Sequence, residues 1–135
     1  MPREIKLSID KNIATLEWPD KGESCQGFWL EVITNTTTEQ HVHLNIDGDE
    51  RTVSGKDGGA SLTNFKLEDG TAKVVATFTY GDKSAPKPSE LQPAASGNSR
   101  IGVVRFVAVA AENEPGADGG DTYDDAVLGV RGFVM

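Results

Sequence analysis

Cysteine is nearly missing from this chain: Cys25 stands alone among 135 residues. A single cysteine excludes an intrachain disulfide, so the fold has to rest on its core. Thiol catalysis is also unsupported, because a nucleophilic cysteine needs a histidine partner and His41 and His43 bear no recognisable relation to Cys25. Positive charge is scarce as well, with 13 Lys and Arg against 21 Asp and Glu and a net charge of −8. Nucleic acid requires a basic face, and anionic membrane surfaces select basic patches, so neither is an expected partner. No apolar run approaches the roughly 20 residues of a membrane-spanning helix. The opening Met-Pro-Arg-Glu-Ile-Lys-Leu holds no apolar signal core. This predicts cytoplasmic synthesis without a classical signal peptide, with release or surface association left open. Helical periodicity, internal repeats and low-complexity tails are absent too. What remains is a soluble, single-domain composition over 1–135.

Strand periodicity runs through most of the sequence. Ile5, Leu7 and Ile9 alternate with polar residues, and Ile13 to Trp18 reads as a second strand ended by Pro19-Asp20. Phe28 to Ile33 follows, and beyond a threonine-rich loop Gln40, Val42, Leu44 and Ile46 alternate with His41, His43 and Asn45. Asp47-Gly48 predicts a two-residue hairpin turn into Arg51–Ser54, and Asp57-Gly-Gly59 and Asp69-Gly70 predict two further turns. Ser61–Leu67, Thr71–Tyr80, Ile101–Ala111 and Tyr123–Val134 complete the series. Pro86–Ser99, rich in proline, serine and glycine, fits a loop or an edge strand that tolerates proline. The expectation is an all-β fold, a two-sheet antiparallel β-sandwich of about nine strands. Trp18 and Trp29, as strand residues, are expected in the core or at an interface. His41 and His43 are expected on an exposed polar face, since no third metal ligand lies near them in sequence.

The chemistry concentrates late in the chain. From Glu112 to Asp125, six carboxylates fall within fourteen residues interrupted by glycines, and the chain ends ten residues later. Such a density of negative charge is either a solvated loop or a site for a hard cation. Oxygen-rich loops with glycine at the turns suit Ca²⁺, which takes six to eight oxygen ligands at flexible angles.

Three stretches carry a resemblance to a known family. They are Thr34-Asn35-Thr36-Thr37-Thr38-Glu39-Gln40 before an alternating strand, Pro88-Ser89-Glu90-Leu91 after Tyr80-Gly81-Asp82, and Val109-Ala-Ala-Glu112 leading to Tyr123-Asp124-Asp125-Ala126-Val127. Over 27–135 the chain resembles the calcium-dependent fucose- and mannose-binding bacterial lectins of the soluble lectin B type, with 1–26 as an N-terminal extension or extra strands. The resemblance implies two adjacent Ca²⁺ ions coordinated directly by sugar hydroxyls. By position it implies metal ligands at Asn35, Glu112, Asp124 and Asp125, with Asp118 and Asp121 as substitutes for the family's Asp-x-Asp in a longer loop. It also implies that the terminal carboxylate, here that of Met135, reaches the calcium of a neighbouring protomer, which makes the protein a homodimer or higher oligomer joined through its C-terminus. Thr36, Thr37 and Thr38 fall at the sugar-specificity positions, Asn113 at a sugar-contacting acidic position, and Asp124 and Asp125 serve both metal and sugar.

The function this implies is calcium-dependent carbohydrate binding of mannose or fucose type, not enzymatic turnover. The departures at Asn113, Thr122 and Met135, together with the longer loop, motivate an alternative: a lectin-fold structural or oligomer-forming protein with a degenerate site. A hydrolase using two loop carboxylates is a third reading, but nothing in the sequence holds such a pair at a defined separation. Asn35-Thr-Thr37 forms a glycosylation sequon that has no meaning without a secretory route. Asp47-Gly48-Asp49-Glu50 lacks a calcium ligand ladder and is explained by the hairpin.

Overall fold

Along Lys73–Tyr80 every second side chain is buried, Val74, Ala76, Phe78 and Tyr80, with their neighbours half-exposed or exposed. This is what a strand with one face against a core must do, since successive side chains point to opposite faces. The same alternation holds in Phe28–Thr34, where Phe28, Leu30, Val32 and Thr34 are buried. The computed structural model describes residues 5–18, 27–34, 39–55, 61–68, 70–82, 84–98, 104–112 and 126–133, and of 61–62, 94–98, 104–105, 112 and 133 the backbone only. All regular structure among these residues is β.

In chain order the strands are β1 Lys6–Asp10, β2 Ile13–Glu17, β3 Phe28–Thr34, β4 Gln40–Ile46, β5 Asp49–Gly55, β6 Ser61–Lys66, β7 Lys73–Tyr80, β8 Lys87–Pro88, β9 Glu90–Asn98, β10 Val104–Glu112 and β11 Ala126–Phe133. One sheet has the order β1-β2-β7-β4-β5 with β8 paired to β7, and the other β6-β3-β11-β10-β9. All pairings are antiparallel. A single hydrophobic cluster draws Leu16, Leu44, Val74 and Phe78 from the first sheet and Phe28, Leu30, Val109 and Leu128 from the second. The two sheets therefore share one core, which defines a β-sandwich. Each large apolar side chain placed there contributes roughly 1.5–3 kcal/mol. Trp18 closes the core beside β2, its ring edge-on to Phe28 at 5.3 Å and 81°.

Among the described residues there are eleven strands, against the nine or so expected. The additional strands come from the proline-rich segment after Tyr80, where hydrophobic alternation has least to act on. β8 is two residues long, too short to show a period. β9 is an edge strand carrying Pro93 opposite Val109, where the register shifts between Ala108 and Val109. An edge with a bulge is where a sheet admits proline. Asp47 and Gly48 both have positive φ, 50° and 94°, as the predicted two-residue hairpin between β4 and β5 requires.

Candidate functional site

The sandwich has two ends, and strand register decides which loops meet at each. In the second sheet Thr34 at the close of β3 pairs with Ala126 at the start of β11 and with Ser61 at the start of β6. Ala126 pairs with Ala111, and Glu112 at the close of β10 pairs with Glu90 at the start of β9. The residues that immediately precede Asn35, that include Glu112, and that immediately follow Asp125 thus form one row across neighbouring strands. The loop bearing Asn35 and both ends of the acidic loop are launched from the same end of one sheet. Asn35, Thr36, Thr37, Thr38, Asn113, Asp118, Asp121, Asp124, Asp125 and Met135 themselves lie outside the described residues, as do Cys25 and Asp57-Gly-Gly59. Glu112 ends β10, with its side chain outside them. Among the described residues no three His, Cys, Asp or Glu side chains gather as a metal-holding group.

Both flanks of the 35–38 segment are held firmly. Upstream, Thr34 is 2% exposed and its side chain packs on Gly55 at the end of β5 in the opposite sheet. A Cβ on Gly55 would collide with the Thr34 hydroxyl and approach its Cβ to 2.9 Å, so only glycine fits beneath this threonine. Downstream, Gly81 N donates to Glu39 O at 2.8 Å. Next to it His41 places Nε2 2.8 Å from Gly81 O and Nδ1 3.0 Å from Ser54 Oγ. The carbonyl can only accept, so Nε2 carries a proton. In the neutral ring Nδ1 then accepts from the serine hydroxyl.

This corrects the sequence expectation for His41. It is buried, at 8% exposed, on the face of β4 away from the core, while His43 remains exposed beside Thr52 and Glu50. The burial follows from packing against β5 and the Gly81 turn, neither of which is visible in the alternation of β4. With both ring nitrogens engaged, His41 acts as a clamp between β4, β5 and the turn after β7. Of the two tryptophans, Trp18 lies in the core, and Trp29 is 44% exposed on the outer face of the second sheet. Phe106, 40% exposed, lies in the same cross-strand row, with Arg131 between them in register. Arg131 makes a 2.7 Å ion pair with Glu31.

Sequence reasoning overlooked a cleft at this same end of the molecule, of about 730 Å³, where the Lys11-Asn12 turn faces Tyr80 and the Pro88-Ser89-Glu90 segment. A smaller polar pocket at the opposite end lies between Asp47, Asp49, Arg51 and Phe65, where Arg51 sits 5.3 Å from the Phe65 ring centre. Two of its carboxylates, those of Asp47 and Asp49, are engaged internally. Asp47 accepts from Ala72 N and Lys73 N, both at 2.9 Å, and Asp49 pairs with Arg51 at 3.3 Å.

This architecture is found in solved bacterial lectins. A Chromobacterium violaceum lectin in complex with α-methyl-fucoside superposes with a TM-score of 0.55 at 16% identity, covering 91% of this chain and 96% of that one. A high-affinity mannose-binding lectin of Ralstonia solanacearum gives 0.58 at 14% identity over the same shares, 91% and 96%. The C-terminal domain of a Burkholderia cenocepacia lectin gives 0.56 at 15% identity and covers 97% of each chain. No protein-family model and no curated protein sequence matches this chain. What is shared at such low identity is the fold, a two-sheet sandwich, over 91–97% of this chain.

Proposed function

We propose that this protein is a calcium-dependent carbohydrate-binding lectin and not an enzyme. The observation that carries the reading is the common row of Thr34, Ala126 and Ala111, with Glu112 next along β10, from which the Asn35 loop and the acidic loop start side by side. The donor chemistry of these loops fits a hard cation, because Asn35, Glu112, Asp118, Asp121, Asp124 and Asp125 offer oxygen throughout. Two Ca²⁺ ions held there would supply coordination positions for vicinal sugar hydroxyls. The chain's own part is to fix direction: Asn and Asp oxygens would accept hydrogen bonds from the same hydroxyls, with Thr36, Thr37 and Thr38 as the residues that select among sugars. Mannose and fucose are the ligands of choice, by analogy with the fucoside and mannose named for the lectins of the same fold.

Assembly belongs to the same proposal. The terminal carboxylate of Met135 completes the site of a second protomer, and the outward Trp29 and Phe106 offer apolar surface for a homodimer or larger oligomer. The same exposed aromatics favour the second reading, a lectin-fold oligomer whose calcium and sugar site is degenerate. Thermal unfolding with and without ligands separates the two. A cation bound only by the folded state raises the midpoint, by roughly 2.7 kcal/mol of stability at a hundredfold excess over Kd. Calcium at millimolar concentration is expected to raise the midpoint over that in EDTA, and methyl α-mannoside or methyl α-fucoside to raise it further only with calcium present. Identical midpoints in calcium and EDTA would remove the proposal. A calcium shift with no sugar shift would leave the degenerate-site reading.

A further inference from the structure

The cleft beside the candidate sugar site carries features that the lectin reading leaves unused. The Lys11-Asn12 turn is pinned to β7: Asn12 Nδ2 donates to Phe78 O and Phe78 N donates to Asn12 O, both at 2.9 Å. Lys11 itself has φ of 55°, so this turn presents it from a fixed backbone. Lys87 is exposed, lies opposite Tyr80 in register, and lines the same cleft. Neither lysine forms an ion pair among the described residues, although the whole chain carries a charge of −8. Two such ammonium groups on one concavity in so acidic a protein are a local exception that selects for an anion.

Ser89 adds an independent sign. Its backbone N donates to Phe78 O at 3.1 Å, and the residue is 5% exposed. Its hydroxyl is nevertheless fully buried without a hydrogen-bond partner among the described residues, in a residue that lines the cleft. Buried hydroxyls are almost always satisfied, so an unmet one beside a cleft marks a place where a bound water belongs in the cleft wall. Tyr80, 9% exposed, supplies an apolar wall of the kind a sugar ring packs on. Glu90 lines the cleft as well, so two lysines stand against one carboxylate there and the concavity keeps a net positive charge.

We propose that this cleft is a subsite for an anionic saccharide, one bearing a carboxylate or sulfate, next to the sugar held at the acidic loop. The adjacency rests on the lectin reading; the cleft itself does not. Glu90 is the register partner of Glu112, and Ala111 that of Ala126. The cleft mouth therefore lies about two strand spacings, roughly 10 Å, from the start of β11, which is the scale of a disaccharide.

The test is an amide-resolved NMR titration of the intact protein with glucuronate, glucose 6-sulfate and glucose, each in EDTA and in calcium. Both anionic sugars, or either one, should shift the amides of Lys11, Asn12, Lys87 and Ser89 where glucose does not. The shifts should fade at roughly 1 M salt, where screening acts over about 3 Å. Lys11→Gln with Lys87→Gln should weaken the anionic sugar roughly three- to tenfold, as exposed ion pairs allow, with the thermal midpoint unchanged. No shifts, equal shifts with glucose, or full affinity in the double variant would overturn the subsite. Binding of methyl α-mannoside or methyl α-fucoside in calcium, measured on the same samples, reads the lectin site separately. Anion-dependent shifts with binding of neither methyl α-mannoside nor methyl α-fucoside would uphold the cleft and sink the lectin reading, whereas binding of either glycoside without such shifts would do the reverse.

Discussion

Thr34 is the last described residue before Asn35, and its burial links the core to the candidate site. Its side chain occupies the space that a side chain on Gly55 would need. Gly55→Ala should therefore push Thr34 and the entry to the 35–38 segment outward. The expected cost is roughly 1–3 kcal/mol, typical of overpacking, and calcium affinity should fall with it. Chemical denaturation and a calcium titration on the same variant check the pair, and an unchanged calcium affinity would show that the loop does not depend on this anchor. At the acidic loop itself the expectation is different. Asp124→Ala and Asp125→Ala each remove a proposed calcium ligand, so both should abolish calcium-dependent retention on mannose-agarose. Neither should alter the all-β circular dichroism spectrum, because their role is assigned to the metal and not to the core. Retention equal to that of the parent protein would count against the coordination mechanism.

Among the elements, the β4–β5 hairpin shows how a turn signal in sequence acquires a second task in the fold. Asp47 meets the backbone demand of the turn, and its carboxylate accepts from Ala72 N and Lys73 N at the entry to β7. Asp47→Ala leaves two backbone donors without their charged acceptor. It should cost roughly 1.5–3 kcal/mol, read as a lower urea midpoint at unchanged slope. The turn after β7 carries a pH dependence of its own. Ser84, through its backbone N–H and its hydroxyl, holds the Asp82 carboxyl below its ordinary value of 3.8. A carboxylate with a lowered folded pKa contributes its stability above the unfolded value, and that contribution is lost as pH falls through the folded one. Asp82→Asn should remove that small acid-side dependence, which a pair of urea titrations at pH 6 and pH 3 would detect. Gly81, which binds Glu39 and His41, is the neighbour of Asp82, so this turn also steadies the downstream flank of the 35–38 segment.

For the whole molecule, the proposed shared terminus makes assembly and metal binding one property. If the carboxylate of Met135 completes a partner's calcium site, a short extension after Met135 moves that charge away and crowds the site. The extended protein should bind calcium more weakly than the parent while its calcium-free thermal midpoint stays the same. Sedimentation of the parent protein in calcium should give a dimer or larger species with two-fold symmetry. A monomer in calcium, or equal calcium affinity with the extension, would refute the shared terminus and leave the sandwich fold untouched.

Hydrophobic alternation is a local property, and wherever a strand has one face on the core it can be read directly: β3, β7 and β11 follow it residue by residue. The Asp47-Gly48 turn is legible for the same reason, since two adjacent residues with positive φ leave a strong chemical mark. Carboxylate density is equally local, and it marks the acidic loop by composition alone. What depends on contacts between distant segments leaves no such mark. Gly55 is an ordinary strand glycine until Thr34 lies over it, and His41 reads as an exposed polar residue until Ser54 and Gly81 enclose it. The cleft shared by Lys11, Tyr80 and Ser89 joins three segments that only the pairing of β2 with β7 and of β7 with β8 brings to one end. The candidate ligands are therefore read from the chain by composition and resemblance, while the register of β3, β10 and β11 alone decides that their loops start together, because hydrogen-bond pairing across a sheet is a relation between segments and not a property of any one of them.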